Sequence, residues 1–238
     1  MTDPSPPRRA PELMDSPTLG LAETEKALAD LERINRWTLG LMAARRSLKE
    51  HLVVAGRRQT LLDIGTGSGQ VSAVLARDSL RRGVALRVIG LDYKLCHLVI
   101  GRRSGHEQLR VVASAEQLPF RTGAVDWALS NLFFHHFDKP ENSTILAEMR
   151  RACRRAALIV DLRQSVMARL LARLLLPLLG AGRVAFHDGK LSADQAWPMK
   201  RVEELIFTQE PSELRRRFPF RFSLVLGPAS PDTASEET

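Results

Sequence analysis

The sequence predicts a doubly wound, mostly parallel α/β sheet of the seven-stranded type, with a helical cap in front of it. Three observations predict it. From residue 60 to about residue 161, short apolar runs alternate with helical patterns, the signature of a parallel sheet covered on both faces. The first run, Thr60-Leu61-Leu62-Asp63-Ile64, leads into Gly65-Thr66-Gly67-Ser68-Gly69-Gln70, and a helical pattern starts at Val71. The second run ends on an acid, Asp92. Glycine at every second position lets the backbone turn sharply and come close to a ligand. A strand, a glycine loop and a helix in that order make a nucleotide-type site at the mouth of a parallel sheet.

The elements follow in order. Residues 1–20 carry Pro4, Pro6, Pro7, Pro11 and Pro17, a density that opposes regular structure, so a disordered leader is expected. Leu28, Leu31, Ile34, Trp37 and Leu41 then recur at spacings of three or four, and Ala44, Leu48 and Leu52 continue the face past Gly40. Residues 21–56 are therefore a helical cap, lying either over the substrate side or only over a sheet edge. Strands are predicted at 60–64, 85–91, 109–113, 125–130 and 156–161, with helices at 71–82, 95–103 and 140–153. The stretch 165–186 is a leucine-rich helical insertion with Arg169 and Arg173 one turn apart, and Pro177 should kink or end it. It suits a lid over a greasy substrate, an interfacial helix in peripheral contact with a membrane, a dimer surface or a core-packed helix. One more helix is expected around Val202, Leu205 and Ile206. A closing strand over 218–226 can pair with 212–217 around Pro219. The main domain thus spans 57–227, and 228–238 form a polar, disordered tail.

The 238 residues suffice for one α/β domain with an appendage. The net charge of +8 invites a nucleic-acid partner, but the arginines are scattered and the densest cluster, Arg215-Arg216-Arg217, is short. Cys96 and Cys153 fit neither a disulfide framework nor a zinc spacing, so no metal site is read and the thiols are expected to be reduced. No apolar segment follows Arg8 and Arg9 as in a signal peptide, and no run of about 18 apolar residues exists. A cytoplasmic location is expected.

The glycine spacing narrows the ligand. A dinucleotide fingerprint needs glycine where Gln70 stands. The pattern is instead D-x-G-x-G-x-G, with Asp63 two residues before Gly65. This resembles motif I of the class I S-adenosylmethionine (SAM) methyltransferases, which have a Rossmann-like fold. The resemblance implies a cofactor site built from Asp63, Gly65, Thr66, Gly67, Gly69, Asp92, Tyr93, Ser114, Ala115, Glu116 and Asn131. The glycine loop would offer backbone N–H groups to the methionine carboxylate, and Asp63 would accept from the ammonium or anchor the loop. Asp92, 23 residues after Gly69, would accept from both ribose hydroxyls. Ala113-Ser114-Ala115-Glu116-Gln117-Leu118-Pro119-Phe120 resembles the segment flanking adenine; where that family most often has aspartate stands Ser114, whose neutral hydroxyl is a weaker acceptor for the adenine amino group.

Residues 125–137 match motif IV, with Asp126 in its strand and Asn131 where the strand opens onto the methyl donor. The Ser130-Asn131-Leu132-Phe133 sequence lacks the Pro-Pro of amino-methylating nucleic-acid enzymes, and neither cysteine sits in a pyrimidine C5-methylation context. Both features disfavour base methylation. His135 and His136 are the candidate catalytic residues, because a phenol with a pKa near ~10 is mostly protonated at neutral pH and a nearby imidazole can act as general base. His187-Asp188-Gly189 reads as a loop that either orients a substrate hydroxyl or makes an ordinary turn.

Flanking pieces extend the resemblance. Ile34-Asn35-Arg36-Trp37, the Phe-Phe-His-His-Phe run, Asp161-Leu162-Arg163, His187-Asp188-Gly189 and Arg217-Phe218-Pro219-Phe220-Arg221 resemble stand-alone bacterial methyltransferases that accompany type III polyketide synthases. This implies a secondary-metabolism role and a phenolic or quinone-like lipophilic small-molecule substrate, with O-methylation ahead of C-methylation. It places Trp37, His187 and Asp188 on the substrate side. An RNA methyltransferase and a non-catalytic SAM-fold binding protein are the alternatives.

Overall fold

The computed structural model describes residues 10–37, 40–51, 58–106, 109–206 and 212–229. The elements are α1 (Leu21–Trp37), α2 (Gly40–His51), β1 (Gln59–Ile64), α3 (Gln70–Leu80), β2 (Leu86–Asp92), α4 (Leu95–Arg103), β3 (Leu109–Val112), β4 (Val125–Asn131), α5 (Lys139–Ala152), β5 (Cys153–Leu162), α6 (Val166–Leu178), α7 (Arg183–Asp194), α8 (Met199–Ile206), β6 (Ser212–Arg217) and β7 (Arg221–Leu226). Short 3-10 turns lie at Leu13–Asp15 and Phe134–His136.

One seven-stranded sheet runs β3-β2-β1-β4-β5-β7-β6. The strands from β3 to β5 pair in parallel, whereas β7 is antiparallel to both β5 and β6. The alternation of strand side chains builds two cores. Leu62, Ile64, Ala128 and Ile159 pack with Ile145, Leu146 and Met149 of α5 and Val202 of α8. Leu61, Trp127, Leu129 and Leu158 pack on the other face with Ala44 and Leu48 of α2 and Leu75 of α3. The chain reverses direction across the sheet at the β1/β4 pair, so the loops after β1 and β4 flank the switch point where ligands of such sheets bind.

Local chemistry sets the boundaries. Gly69 takes a left-handed φ of +85° and starts α3. Asp138 and Glu141 form a reciprocal capping box with Pro140 in the first turn, which starts α5 where the pattern predicts it. Pro177 sits in the last turn of α6, which ends one residue later. The Glu50 carboxylate receives Arg217 at 3.0 Å and ties α2 to β6.

Three expectations are corrected. Residues 10–20 are not a disordered leader: the backbone N–H groups of Leu13 and Met14 donate to the Asp188 carboxylate at 2.7 and 2.9 Å, and Glu12 is buried. The partners lie about 175 positions along the chain, where no local pattern registers them. His187-Asp188-Gly189 is not a loop but the middle of α7, where Gly189 lets Leu176 of α6 approach to a distance that a Cβ would contest at 2.7 Å. β5 begins at Cys153, inside the stretch assigned to the preceding helix. Residues 1–9 and 230–238 lie outside the described residues, as do 52–57 at the expected edge of the cap.

Candidate active site

A cavity of about 1080 Å³ opens at the C-terminal ends of the parallel strands. One side is the glycine loop, contributing Gly65, Thr66, Gly67, Ser68 and Gln70. Gly65 and Gly67 have φ of +68° and +56°, and a Cβ on Gly65 would run into the Phe133 ring. The loop is backed by α4, where Gly101 stands so close that a Cβ there would overlap the Ser68 carbonyl oxygen. Above it lies α1: Ser68 donates to Glu32 at 2.6 Å, and Gln70 donates to the Glu32 carbonyl at 3.0 Å. The helical cap therefore covers the ligand side of the loop, and Leu28, Leu31, Asn35 and Trp37 of α1 line the cavity.

Asp92 ends β2 at the cavity. Its Oδ2 accepts from the Gly67 N–H and its Oδ1 from the Lys94 N–H, both at 2.9 Å. His97 Nδ1 also lies 3.4 Å from Oδ2, so Oδ1 keeps the lone pair most open to a ribose hydroxyl. Tyr93, Ser114, Ala115 and Glu116 continue the same wall. The Ser114 hydroxyl accepts from the Glu116 N–H at 3.2 Å. Asn131, at the end of β4, also lines the cavity, and its buried Oδ1 has no hydrogen-bond partner among the described residues. Next to it Leu132 holds a φ of +54°, with its N–H donated to the Val160 carbonyl at 2.8 Å.

Asp63 and Gly69 do not line the cavity. Asp63 lies beneath the loop and accepts from the Thr66 hydroxyl at 2.7 Å. Burial lifts its carboxyl to about 6 despite that hydrogen bond. That bond anchors the loop from beneath. Asp126, at the opposite end of β4, receives the Thr60 N–H at 2.8 Å and faces Arg154 and Arg155. It holds strands together at the far end of the sheet from the cavity.

Past Asn131 the 3-10 turn carries the two histidines into the cavity. His135 is buried, and its Nδ1 lies 2.7 Å from Oδ1 of Asp161, which is 0% exposed. The Nε2 atoms of His135 and His136 are each 3.8 Å from Glu12 Oε1, and His136 Nδ1 is 3.6 Å from Asp15 Oδ2. Burial pushes the His135 imidazolium down, but Asp161 and Glu12 outweigh it and lift His135 to about 10. Burial pushes the Glu12 and Asp161 carboxyls up, and the neighbouring histidines more than reverse it. Glu12 and Asp15 come from the residues expected to be a disordered leader, and proline content hid them.

The far wall is apolar: Leu171, Leu175, Leu176 and Leu179 of the α6 region, with Phe218 and Phe220. Asp188 lines the cavity, but its carboxylate is occupied by the Leu13 and Met14 N–H groups. His187 is not among the lining residues; it faces outward, with its ring 2.9 Å from Asp188.

SAM needs donors and acceptors for its methionine end, an acceptor for its ribose and a flat slot for adenine. The unpartnered Asn131 Oδ1, the side-chain-free backbone at Gly65 and Gly67 and the partly occupied Asp92 carboxylate fit those requirements. Asp92→Ala is expected to weaken SAM binding by about 1.5–3 kcal/mol, the scale of a lost hydrogen bond to a charged group. Calorimetric affinity equal to wild type would remove Asp92 from the ribose site.

Residues 62–160 match the family described as a methyltransferase domain. No curated protein matches the sequence. Among solved structures, a SAM-dependent methyltransferase from Aquifex aeolicus aligns with a TM-score of 0.58 at 16% identity, covering 88% of this chain and 98% of its own. Human N-acetylserotonin methyltransferase in complex with SAM aligns with a TM-score of 0.62 at 10% identity, covering 89% and 57%. Magnesium protoporphyrin IX methyltransferase from Synechocystis PCC 6803, solved with bound SAH, aligns with a TM-score of 0.53 at 11% identity, covering 90% of each chain. These structural likenesses show the class I methyltransferase fold. Together with the methyltransferase domain matched at its centre, this fold supports an enzyme that uses SAM as its cofactor.

Proposed function

We propose that the enzyme methylates a small lipophilic acceptor, a phenolic or quinone-like ring bearing an alkyl chain, at oxygen rather than at carbon. The observation that supports this reading is the continuity of the cavity. It runs from the glycine loop and Asp92, past His135 and His136, to the leucines of α6. A polar end suits the cofactor, a titratable middle suits a hydroxyl and an apolar end suits a chain.

SAM supplies an electrophilic methyl on a sulfonium, whose transfer to the acceptor oxygen leaves a neutral thioether and releases the hydroxyl proton. The residues of this chain do the rest. Gly65, Thr66, Gly67 and Asn131 hold the methionine end, Asp92 the ribose, and Tyr93, Ser114, Ala115 and Glu116 the adenine. Glu12, His135 and His136 meet the acceptor hydroxyl and activate it. Trp37 of α1 and the leucines of α6 close over the ring and chain and exclude water, which aligns the reacting atoms. Asp188 acts on the substrate side by fixing the segment that carries Glu12.

The outer face of α6 fits the same reading. Val166, Met167, Leu170, Leu174 and Leu178 are exposed, and Arg169 and Arg173 flank them. Such a helix lies in the plane of a membrane surface, where an alkyl-chain acceptor enters beside it. Among the described residues no helix is long and apolar enough to cross a membrane.

The test follows methyl-labelled SAM in extract of the source cells, with added vesicles containing phosphatidylglycerol. Label is expected in the organic-soluble fraction, with the protein sedimenting with the vesicles. Label in RNA would overturn the small-molecule reading. Demonstrated SAM binding with no label in any fraction would favour a non-catalytic role. Protein left wholly in the supernatant would end the membrane proposal alone.

A further inference from the structure

We propose that Glu12, His135 and His136 form a site for one divalent transition-metal ion of the zinc class, with an open coordination position toward the acceptor. One ligand atom from each residue lies within 4.8 Å of the other two. Glu12 Oε1 is 3.8 Å from the Nε2 atom of both imidazoles. Donors bound to one ion at about 2.0–2.1 Å stand roughly 3–3.6 Å apart, so small side-chain rotations close the set. Two imidazoles and a glutamate are a donor set used by catalytic zinc sites, which keep the remaining position open.

The outer nitrogens give a second, independent observation. A ligating histidine normally donates its other ring N–H to a carboxylate, which fixes the tautomer and orients the ring. His135 has this arrangement, and His136 turns the same nitrogen toward an aspartate from beyond hydrogen-bond reach. His135 presents Nδ1 to Asp161 at 2.7 Å, and His136 presents Nδ1 to Asp15 at 3.6 Å. In each ring Nε2 is the nitrogen turned toward Glu12. An ordinary ion pair needs one imidazole and one carboxylate. Two rings converging through the same atom on one carboxylate, each backed by its own aspartate, is the pattern of a metal centre.

Charge around the cluster agrees. Glu12, Asp15 and Asp161 face the imidazoles, and Asp188 adds negative charge near Glu12. Lys94 stands 3.8 Å from Asp15, and Arg221 lies beside Asp161, so both cations serve the outer carboxylates. The point between Glu12 Oε1 and the two Nε2 atoms is where positive charge is still required. All three ligand residues line the cavity, so that position opens on it. On the methyl-transfer reading above, an acceptor hydroxyl bound there loses its proton to solvent and keeps the electron pair that attacks the methyl carbon. Residues 12 and 135 lie too far apart in the chain for any spacing motif to reveal the set.

The test titrates Co²⁺ into the full chain after chelation and dialysis, with SAM affinity measured separately by calorimetry. One equivalent is expected to bind with the visible bands of a four- or five-coordinate site, and Zn²⁺ should displace it. Asp161→Asn should weaken Co²⁺ binding about 10–100-fold, the usual loss for an outer-shell partner. Glu12→Gln and His136→Ala should each lose more than that while SAM affinity stays within about twofold, as for a residue outside the cofactor site. Absence of the bands, or binding that survives both ligand substitutions, overturns the metal site. A wild-type chain that binds Co²⁺ but not SAM overturns the methyl-transfer reading instead. If one ligand variant fails to fold, the other and Asp161→Asn still decide the question.

Discussion

Asp161→Ala is expected to destabilise the fold by about 3–5 kcal/mol, the range for removing one partner of a buried ion pair. Asp161 is 0% exposed and His135 is 2% exposed. The carboxylate accepts from His135 Nδ1 at 2.7 Å, from the His135 backbone N–H at 3.1 Å and from its own neighbour Leu162 at 2.6 Å. Arg221, also buried, lies beside it, and burial holds its guanidinium below its usual range despite Asp161. Alanine would take the Asp161 acceptor from His135 Nδ1 and from the His135 and Leu162 backbone N–H groups, and would remove the negative charge beside Arg221. Urea denaturation checks this. A loss below about 1 kcal/mol, ordinary for a surface change, would mean that the β4–β5 end is held by packing alone. Asp161→Asn should fall between the two, because the amide keeps the volume and one acceptor.

Truncating the chain before Gly20 is expected to lower the melting temperature by roughly 5–10 °C, since orphaned buried polar groups cost about 1–3 kcal/mol each. Asp188 would lose the N–H groups of Leu13 and Met14, and Ser192 would lose the Glu12 carboxylate it meets at 2.5 Å. Burial holds Asp188 above the usual carboxyl range even with those donors, so their loss falls on a group with little solvent to replace them. His136 would lose both carboxylates that face it. Turnover should fall with stability, because Glu12, Met14 and Asp15 line the cavity. An unchanged melting temperature would restore the expectation of an inert leader.

The contrast between these two regions shows what a sequence reading reaches. β1, its glycine loop and Asp92 were legible because their chemistry is local. A positive φ needs glycine at the position itself, and a parallel strand buried on both faces reads as a continuous apolar run. The capping box at Asp138 and Glu141 marked the start of α5 for the same reason. β7 and β6 were legible as a strand pair around Pro219, though their place at the antiparallel end of the sheet was not.

Residues 10–20 and α7 were not legible, and the reason is range rather than subtlety. Proline density is a local statistic, and it argues correctly against a long helix over that stretch. It says nothing of two backbone N–H groups that find a carboxylate about 175 residues on. His187-Asp188-Gly189 looked like a turn because glycine and aspartate favour one. In α7 the glycine serves helix packing against Leu176, and the aspartate serves a distant backbone. Asp63 shows a third case. Its type and spacing are those of a cofactor ligand, but only the burial of its carboxylate under Thr66 shows that it holds the loop from below.

By itself the sequence determined the sheet, the glycine loop and the acid after β2, because each depends on neighbours a few residues apart. Only the tertiary structure decided what faces the two histidines. Glu12, His135 and Asp161 come from three distant points in the chain, and burial together forces their charges to answer one another.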